Sequence, residues 1–97
     1  MTKLFISQPM RGRRMADIVR ERKTLVADAA VALQEDEIAV LDTLFDDTDA
    51  TPLALLARLG KLAEADAVIF APGWETARGC RMEHLAAEEY GIRIVEG

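Results

Sequence analysis

The chain has 97 residues, 51% of them hydrophobic and 30% charged, a length that holds one hydrophobic core and leaves no room for an elaborate lid. With 17 acidic against 12 basic residues the net charge is -5, which disfavours general attraction to a nucleic acid polymer, so any anion site has to be local. The single cysteine, Cys80, excludes an internal disulfide, and neither a zinc-type Cys/His spacing nor an apolar run of the roughly 20 residues that a membrane span needs is present.

The opening Met1-Thr2-Lys3 leads into only three apolar residues, Leu4-Phe5-Ile6, too few for the apolar region of a signal peptide. These features predict a cytoplasmic protein with one domain over residues 1–97 and no membrane partner. Leu4-Phe5-Ile6 is a compact apolar run stopped by Gln8-Pro9, which predicts a buried strand over about residues 3–7. Residues 14–34 contain neither Gly nor Pro and repeat apolar side chains at helical spacing through Met15, Ile18, Leu25, Ala29 and Leu33, which predicts the longest helix. Ile38-Ala39-Val40-Leu41 predicts a second strand, and Asp42, Asp46, Asp47 and Asp49 then mark a solvated loop whose spacing fits no calcium site.

Thr51-Pro52 reads as an N-cap with proline at the first helical position, followed by a stripe of Leu55, Leu56, Leu59, Leu62 and Ala63 that predicts a helix ending near Ala65. Ala67 to Ala71 predicts a third strand stopped by Pro72-Gly73. Gly79 to Tyr90 predicts a third helix closed by Gly91, and Ile92 to Val95 a fourth strand. Strands without polar alternation, separated by helices, predict an α/β three-layer sandwich with a four-stranded parallel sheet, Rossmann-like or flavodoxin-like, in the order 2-1-3-4. Ligands of such sheets bind beyond the carboxyl ends of the strands, where the winding direction reverses.

Two loops project there. The first, Ser7-Gln8-Pro9-Met10-Arg11-Gly12-Arg13-Arg14, sets a hydroxyl, an amide and three arginines before a helix start in an acidic chain, which suits a phosphate or carboxylate; the alternative is a turn carrying solvated arginines. The second contains Gly73, Trp74, Arg78 and Gly79. Trp74 could stack on a base, close a dimer contact or simply pack. On the third helix, steps of about 100° from Met82 place Met82, Leu85, Ala86, Tyr90 and Ala87 on one apolar arc with Glu83 inside it. A carboxylate on an apolar arc is either a reactive group with a raised pKa or a structural acceptor, and both readings stay open. Arg81, His84 and Glu88 fall on the wetter side, where His84 reads as a surface residue within i,i+4 reach of Glu88. Cys80 reads as a small buried hydrophobe, with no histidine base placed for it.

Taken together, Leu4 to Arg13, Ala65-Asp66-Ala67-Val68, Pro72-Gly73-Trp74-Glu75 and Arg78-Gly79-Cys80-Arg81-Met82-Glu83-His84 resemble the nucleoside 2-deoxyribosyltransferase-like superfamily, nearest to a small bacterial and phage branch carried as a domain of unknown function. The resemblance spans nearly the whole chain. It implies a homo-oligomer, expected here as a homodimer, with no metal and no cofactor. It further implies a nucleoside or nucleotide ligand, Glu83 as the nucleophile of the G-x-x-x-E pattern, and a sugar or 5′-phosphate site from Ser7 to Gly12 with Arg11 as the anion contact.

Three positions depart from the enzymes of that superfamily: their first-strand tyrosine is Phe5, the aspartate of hydrolase relatives is Arg58, and a common hydroxyl residue is Ala77, although Thr76 is adjacent. The expectation is a nucleotide-binding domain with N-glycosidase or deoxyribosyltransferase-like chemistry at Glu83. Its alternatives are a non-catalytic nucleotide-sensing module and a protein-interaction module acting through the acidic segment and Trp74.

Overall fold

A computed structural model describes residues 1–41 and 52–95. In chain order it contains β1 (Thr2–Ser7), α1 (Met15–Leu33), β2 (Ile38–Val40), α2 (Pro52–Leu62), β3 (Ala67–Phe70), a 3₁₀ turn (Trp74–Thr76), α3 (Arg78–Glu89) and β4 (Arg93–Val95). The four strands form one parallel sheet in the order β2-β1-β3-β4, as the apolar runs predicted. Thr51, the aspartates from Asp42 to Asp49 and the Leu55 side chain lie outside the described residues, so the predicted cap and acidic loop stand as read from the sequence.

Alternation along β1 divides the core into two layers. Leu4 and Ile6 face α1, joining Leu25, Ala29, Ala67 and Ile69, while Phe5 points the other way to Val68, Leu62 and Ala87 on the side of α2 and α3. Phe5 and Val68 are register partners in the sheet, so the second layer is centred on that pair. The entry into the sheet is locked reciprocally: the Lys3 N–H donates to Asp66 Oδ2, and the Asp66 N–H donates to the Lys3 carbonyl, both at 2.8 Å.

The chain runs from β1 through α1 to β2 at one edge, then crosses back by α2 to β3 on the other side of β1. The winding direction therefore reverses between β1 and β3, at whose carboxyl ends Ser7 and Phe70 are paired neighbours. α1 is capped by Gln34 in the left-handed region (φ 56°), and α3 is capped by Tyr90, the residue before Gly91, which is also at positive φ. No helix among the described residues is long and apolar enough to cross a membrane.

Two helices are rotated away from the predicted stripes. On α2, Leu62 is buried and Leu59 half-buried, but Leu56 is 64% exposed and Ala63, past the end of the helix, is exposed as well. On α3 the buried side chains are Cys80, Glu83 and Ala87, whereas Met82 (45%), Leu85 (55%) and Tyr90 (84%) lie outside the core. The physical reason is distance. A helix approaches a sheet closely along its smallest residues, and Cys80 and Ala87 supply that face; the bulky members of the predicted arc are turned to the rim.

Candidate functional site

The loop after β1 is held from below. Gln8, 4% exposed, donates through Nε2 to the Ile18 carbonyl and to Glu21 Oε1, each at 2.9 Å, and its Oε1 accepts from Arg22 at 3.3 Å. Arg13 closes the loop by donating to the Pro9 carbonyl and to Glu21 Oε1, both at 2.8 Å. Between them the Arg13 N–H returns to the Met10 carbonyl across a turn that puts Gly12 at φ 74°, a conformation a side-chain-bearing residue adopts only at a cost.

Arg13 is therefore a clamp rather than a solvated residue, while Arg11 is exposed at the tip beside exposed Gly12, with Pro9 and Met10 half-buried behind them. Nothing in the sequence pattern singles out Glu21 and Arg22, yet they are what fixes this loop. Burial alone would raise the Glu21 carboxyl, but the hydrogen bonds from Arg13 and Gln8 and the Arg13 charge outweigh it and hold the group below its ordinary value of 4.5.

A lowered folded pKa means stability that is present above the unfolded value and lost as pH falls through the folded one. Glu21→Gln is accordingly expected to cost about 1–2 kcal/mol near neutrality, with the difference from wild type closing in acid. Urea titrations at several pH values read this directly. A cost that persists unchanged below pH 4.5 would mean that packing, not the charged clamp, holds the loop.

Glu83 sits where the sheet reverses. It is 3% exposed, and the Ser7 hydroxyl donates to its Oε1 at 2.7 Å, tying the end of β1 to α3. On its other side Arg58 of α2 brings Nε to 3.9 Å from Oε2, too far for a hydrogen bond; both atoms are buried and without a hydrogen-bond partner. Burial raises the Glu83 carboxyl above its ordinary value, and the Ser7 hydrogen bond and the Arg58 charge pull it only part of the way back.

Gly79 makes room for this arrangement, because a Cβ there would stand 3.0 Å from Arg58 Nη2. Cys80 is buried and hydrogen-bonds with Ser7; burial pushes its thiol up to about 11, so it stays protonated and behaves as the inert small residue its position suggested. Arg58, noted in the sequence only as a departure, is in fact the cation beside the carboxylate.

Next to this pair lies an aromatic stack. Phe70, the sheet neighbour of Ser7, contacts both Trp74 and His84 (centroids 5.4 and 4.8 Å), and Trp74 lies flat on His84 at 4.1 Å and 4°. His84 also pairs through Nδ1 with Glu88 Oε1 at 2.6 Å, as the i,i+4 spacing indicated. It is nevertheless a half-buried member of the stack and not a surface residue, because the turn at Pro72-Gly73, with Gly73 at φ 84°, folds Trp74 back over it. One face of the indole is thus already covered.

The Thr76 hydroxyl donates to the Gly73 carbonyl at 2.7 Å, so it braces the turn and does not stand in for the hydroxyl missing at Ala77. Of the residues singled out in the sequence, the fold brings Ser7 and Glu83 into contact. Gly73 and Arg78 are exposed along the second loop, and Gly79 and Trp74 are half-buried in it. No group of three or more His, Cys, Asp or Glu side chains comes together as a metal set among the described residues.

A parallel α/β sandwich whose strand order reverses beside a buried carboxylate is a Rossmann-like domain with its polar centre at the expected edge of the sheet. Within that class the chain belongs to the family described as domain of unknown function DUF4406, whose model matches residues 2–96. No curated protein and no solved structure matches the chain.

Proposed function

We propose that the protein binds a nucleoside or nucleotide and acts on its N-glycosidic bond through Glu83, in the manner of the nucleoside 2-deoxyribosyltransferase-like enzymes it resembles. The observation that carries this reading is the buried Glu83 carboxylate, oriented by the Ser7 hydroxyl at 2.7 Å at the reversal of strand order. A carboxylate with one oxygen fixed and shielded from water is placed to act as a nucleophile, and the Ser7 hydrogen bond and the Arg58 charge favour its ionised form against the effect of burial. It bonds to the anomeric carbon while the C–N bond breaks, its electron pair leaving with the base, which takes a proton from water. Water or a second base then displaces Glu83 from the glycosyl-enzyme.

The clamped loop from Ser7 to Gly12 presents Arg11 to a 5′-phosphate, and the face of Trp74 turned away from His84 would offer stacking to the base. Incubating the protein with nucleoside 5′-monophosphates is expected to release free base, and a Glu83→Ala variant to release none. Equal release by both proteins would refute the assignment.

Arg58 favours a second reading. A guanidinium beside Glu83, where hydrolase relatives carry an aspartate, supplies charge but no proton, and losing a general acid slows such chemistry by roughly 10²- to 10⁴-fold. On this reading the domain senses a nucleotide without turning it over, and ligands raise the melting temperature with no base released. In either case we propose a homodimer, because the rim of α3 leaves Met82, Leu85 and Tyr90 exposed and so small a chain builds only one side of a crevice. Light scattering at micromolar concentration is expected to give twice the chain mass, and a monomer would contradict it.

A further inference from the structure

Gly79 stands where the helix itself has no need of glycine. It lies in the first turn of α3, and its backbone is outside the left-handed region that Gly12, Gly73 and Gly91 occupy, so the conformation is open to side-chain-bearing residues and alanine would favour the helix. What keeps the position empty is one neighbour. A Cβ there would meet Arg58 Nη2 at 3.0 Å and Arg58 Cζ at 3.7 Å and, its own helix aside, no other atom of the described residues within 4 Å. Gly60, the glycine inside α2, is the contrast, since a Cβ there has no neighbour within 4 Å.

We propose that Gly79 is a positioning residue for the candidate carboxylate: it seats the Arg58 guanidinium against the start of α3, and through that seat it sets the charge of Glu83. The proposal rests on the reading of Glu83 as the working group and names what keeps it ionised. Three groups face Glu83: the Ser7 hydroxyl from β1, the Cys80 thiol one turn earlier on α3, and Arg58 from α2. Burial pushes the thiol up to about 11, so it is neutral, and Arg58 brings the only charge of the three. Its attraction acts across 3.9 Å between two atoms closed to solvent, Arg58 Nε and Glu83 Oε2, where water does little to screen it.

The guanidinium has one direction in which to yield. The Glu83 side chain is 4% exposed against 22% for that of Arg58, so a Cβ at position 79 drives the guanidinium outward to water and away from Oε2. There the attraction is screened, burial is less opposed, and Glu83 holds its proton to higher pH. Gly79 thus acts on the carboxyl group through Arg58, from one turn away.

The test is a pH titration of the Glu83 carboxyl carbon by NMR, the signal being assigned by its loss in Glu83→Gln. It is run on the full chain and on four variants: Gly79→Ala, Arg58→Met, the two combined, and Gly60→Ala as a control. Gly79→Ala and Arg58→Met are each expected to move the Glu83 midpoint to higher pH, the double variant no further than Arg58→Met, and Gly60→Ala not at all. Every pH unit of displacement removes about tenfold from the ionised fraction on the acid side, and base release is expected to fall in proportion. The proposal is overturned when Gly79→Ala or Arg58→Met titrates with the wild type, when Gly60→Ala matches the displacement, or when Gly79→Ala adds to it in the Arg58→Met background. Where Gly79→Ala alone does not fold, the double variant has no guanidinium to collide with and is expected to fold and to titrate with Arg58→Met; its failure to fold would equally overturn the seat. The titration reads the charge of Glu83 whether or not base is released, so an inactive wild type whose variants titrate as expected refutes the glycosidic reading and leaves the Gly79 seat standing.

Discussion

A Glu83→Gln variant is expected to release base at least about 10³-fold more slowly than wild type and, at neutral pH, to unfold at a higher temperature. The first effect follows from the proposed role of Glu83, since an amide in place of the carboxylate cannot form the glycosyl ester. The second follows from the cost of ionising Glu83 at 3% exposure. Burial raises its folded pKa above the ordinary 4.5 despite the opposing Ser7 and Arg58 contributions. A raised pKa means stability that is fully present below the unfolded value and is lost as pH rises through the folded one. The neutral glutamine keeps the acceptor for Ser7 and escapes that loss.

Thermal melts of both proteins across the acid range are the measurement. The gap is expected to be widest near neutrality and to close below 4.5, each kcal/mol appearing as roughly 4–8 °C in a domain of this size. A variant that melts lower than wild type at neutral pH would mean that the Arg58 attraction outweighs burial, and that Glu83 is a structural partner instead of a strained reactive group.

The same residue marks how far the sequence was legible. Strands bounded by Gln8-Pro9 and Pro72-Gly73 and a helix free of Gly and Pro announce themselves locally, and the alternation of elements then leaves few parallel topologies. Glu83 stood out because a carboxylate interrupts an apolar arc. The orientation of that arc did not stand out, since the rotation of a helix on a sheet is set by where it can come closest. Cys80 and Ala87 decide this on α3, and the pattern of large residues pointed to Met82, Leu85 and Tyr90 instead.

Contacts between distant positions were equally silent. Arg58 lies 25 residues before Glu83 and registered only as a departure from a pattern, although it is the charge that Glu83 faces. The Gln8–Glu21–Arg13 clamp joins a loop to the second turn of the following helix, where no periodicity distinguishes a clamping glutamate from a solvated one. His84 shows both cases in one side chain. Its pairing with Glu88 was visible as i,i+4 spacing, but its stack on Trp74 depended on the turn at Gly73.

Ser7→Ala is expected to lower turnover near neutrality by about 10- to 100-fold and to move the acidic limb of the kcat/KM profile to higher pH. The Ser7 hydroxyl donates to Glu83 Oε1 at 2.7 Å and favours the ionised form, working against a burial that favours the neutral one. Without it the Glu83 pKa rises further, so at a given pH less of the protein holds the ionised carboxylate that the proposed reaction needs. The magnitude is that of a hydrogen bond to a charged group, roughly 1.5–3 kcal/mol. The loss divides into two parts that a pH profile separates. At high pH, where Glu83 is ionised in both proteins, the remaining deficit measures how far Ser7 orients the nucleophile; at low pH the added deficit measures how far it keeps Glu83 charged. Ser7 also ends β1, with its carbonyl accepting from Ala71 at 2.9 Å, but that backbone contact survives the substitution. A melting temperature that falls while the acidic limb stays in place would therefore reduce Ser7 to a packing residue and leave the charge state of Glu83 to burial and Arg58 alone.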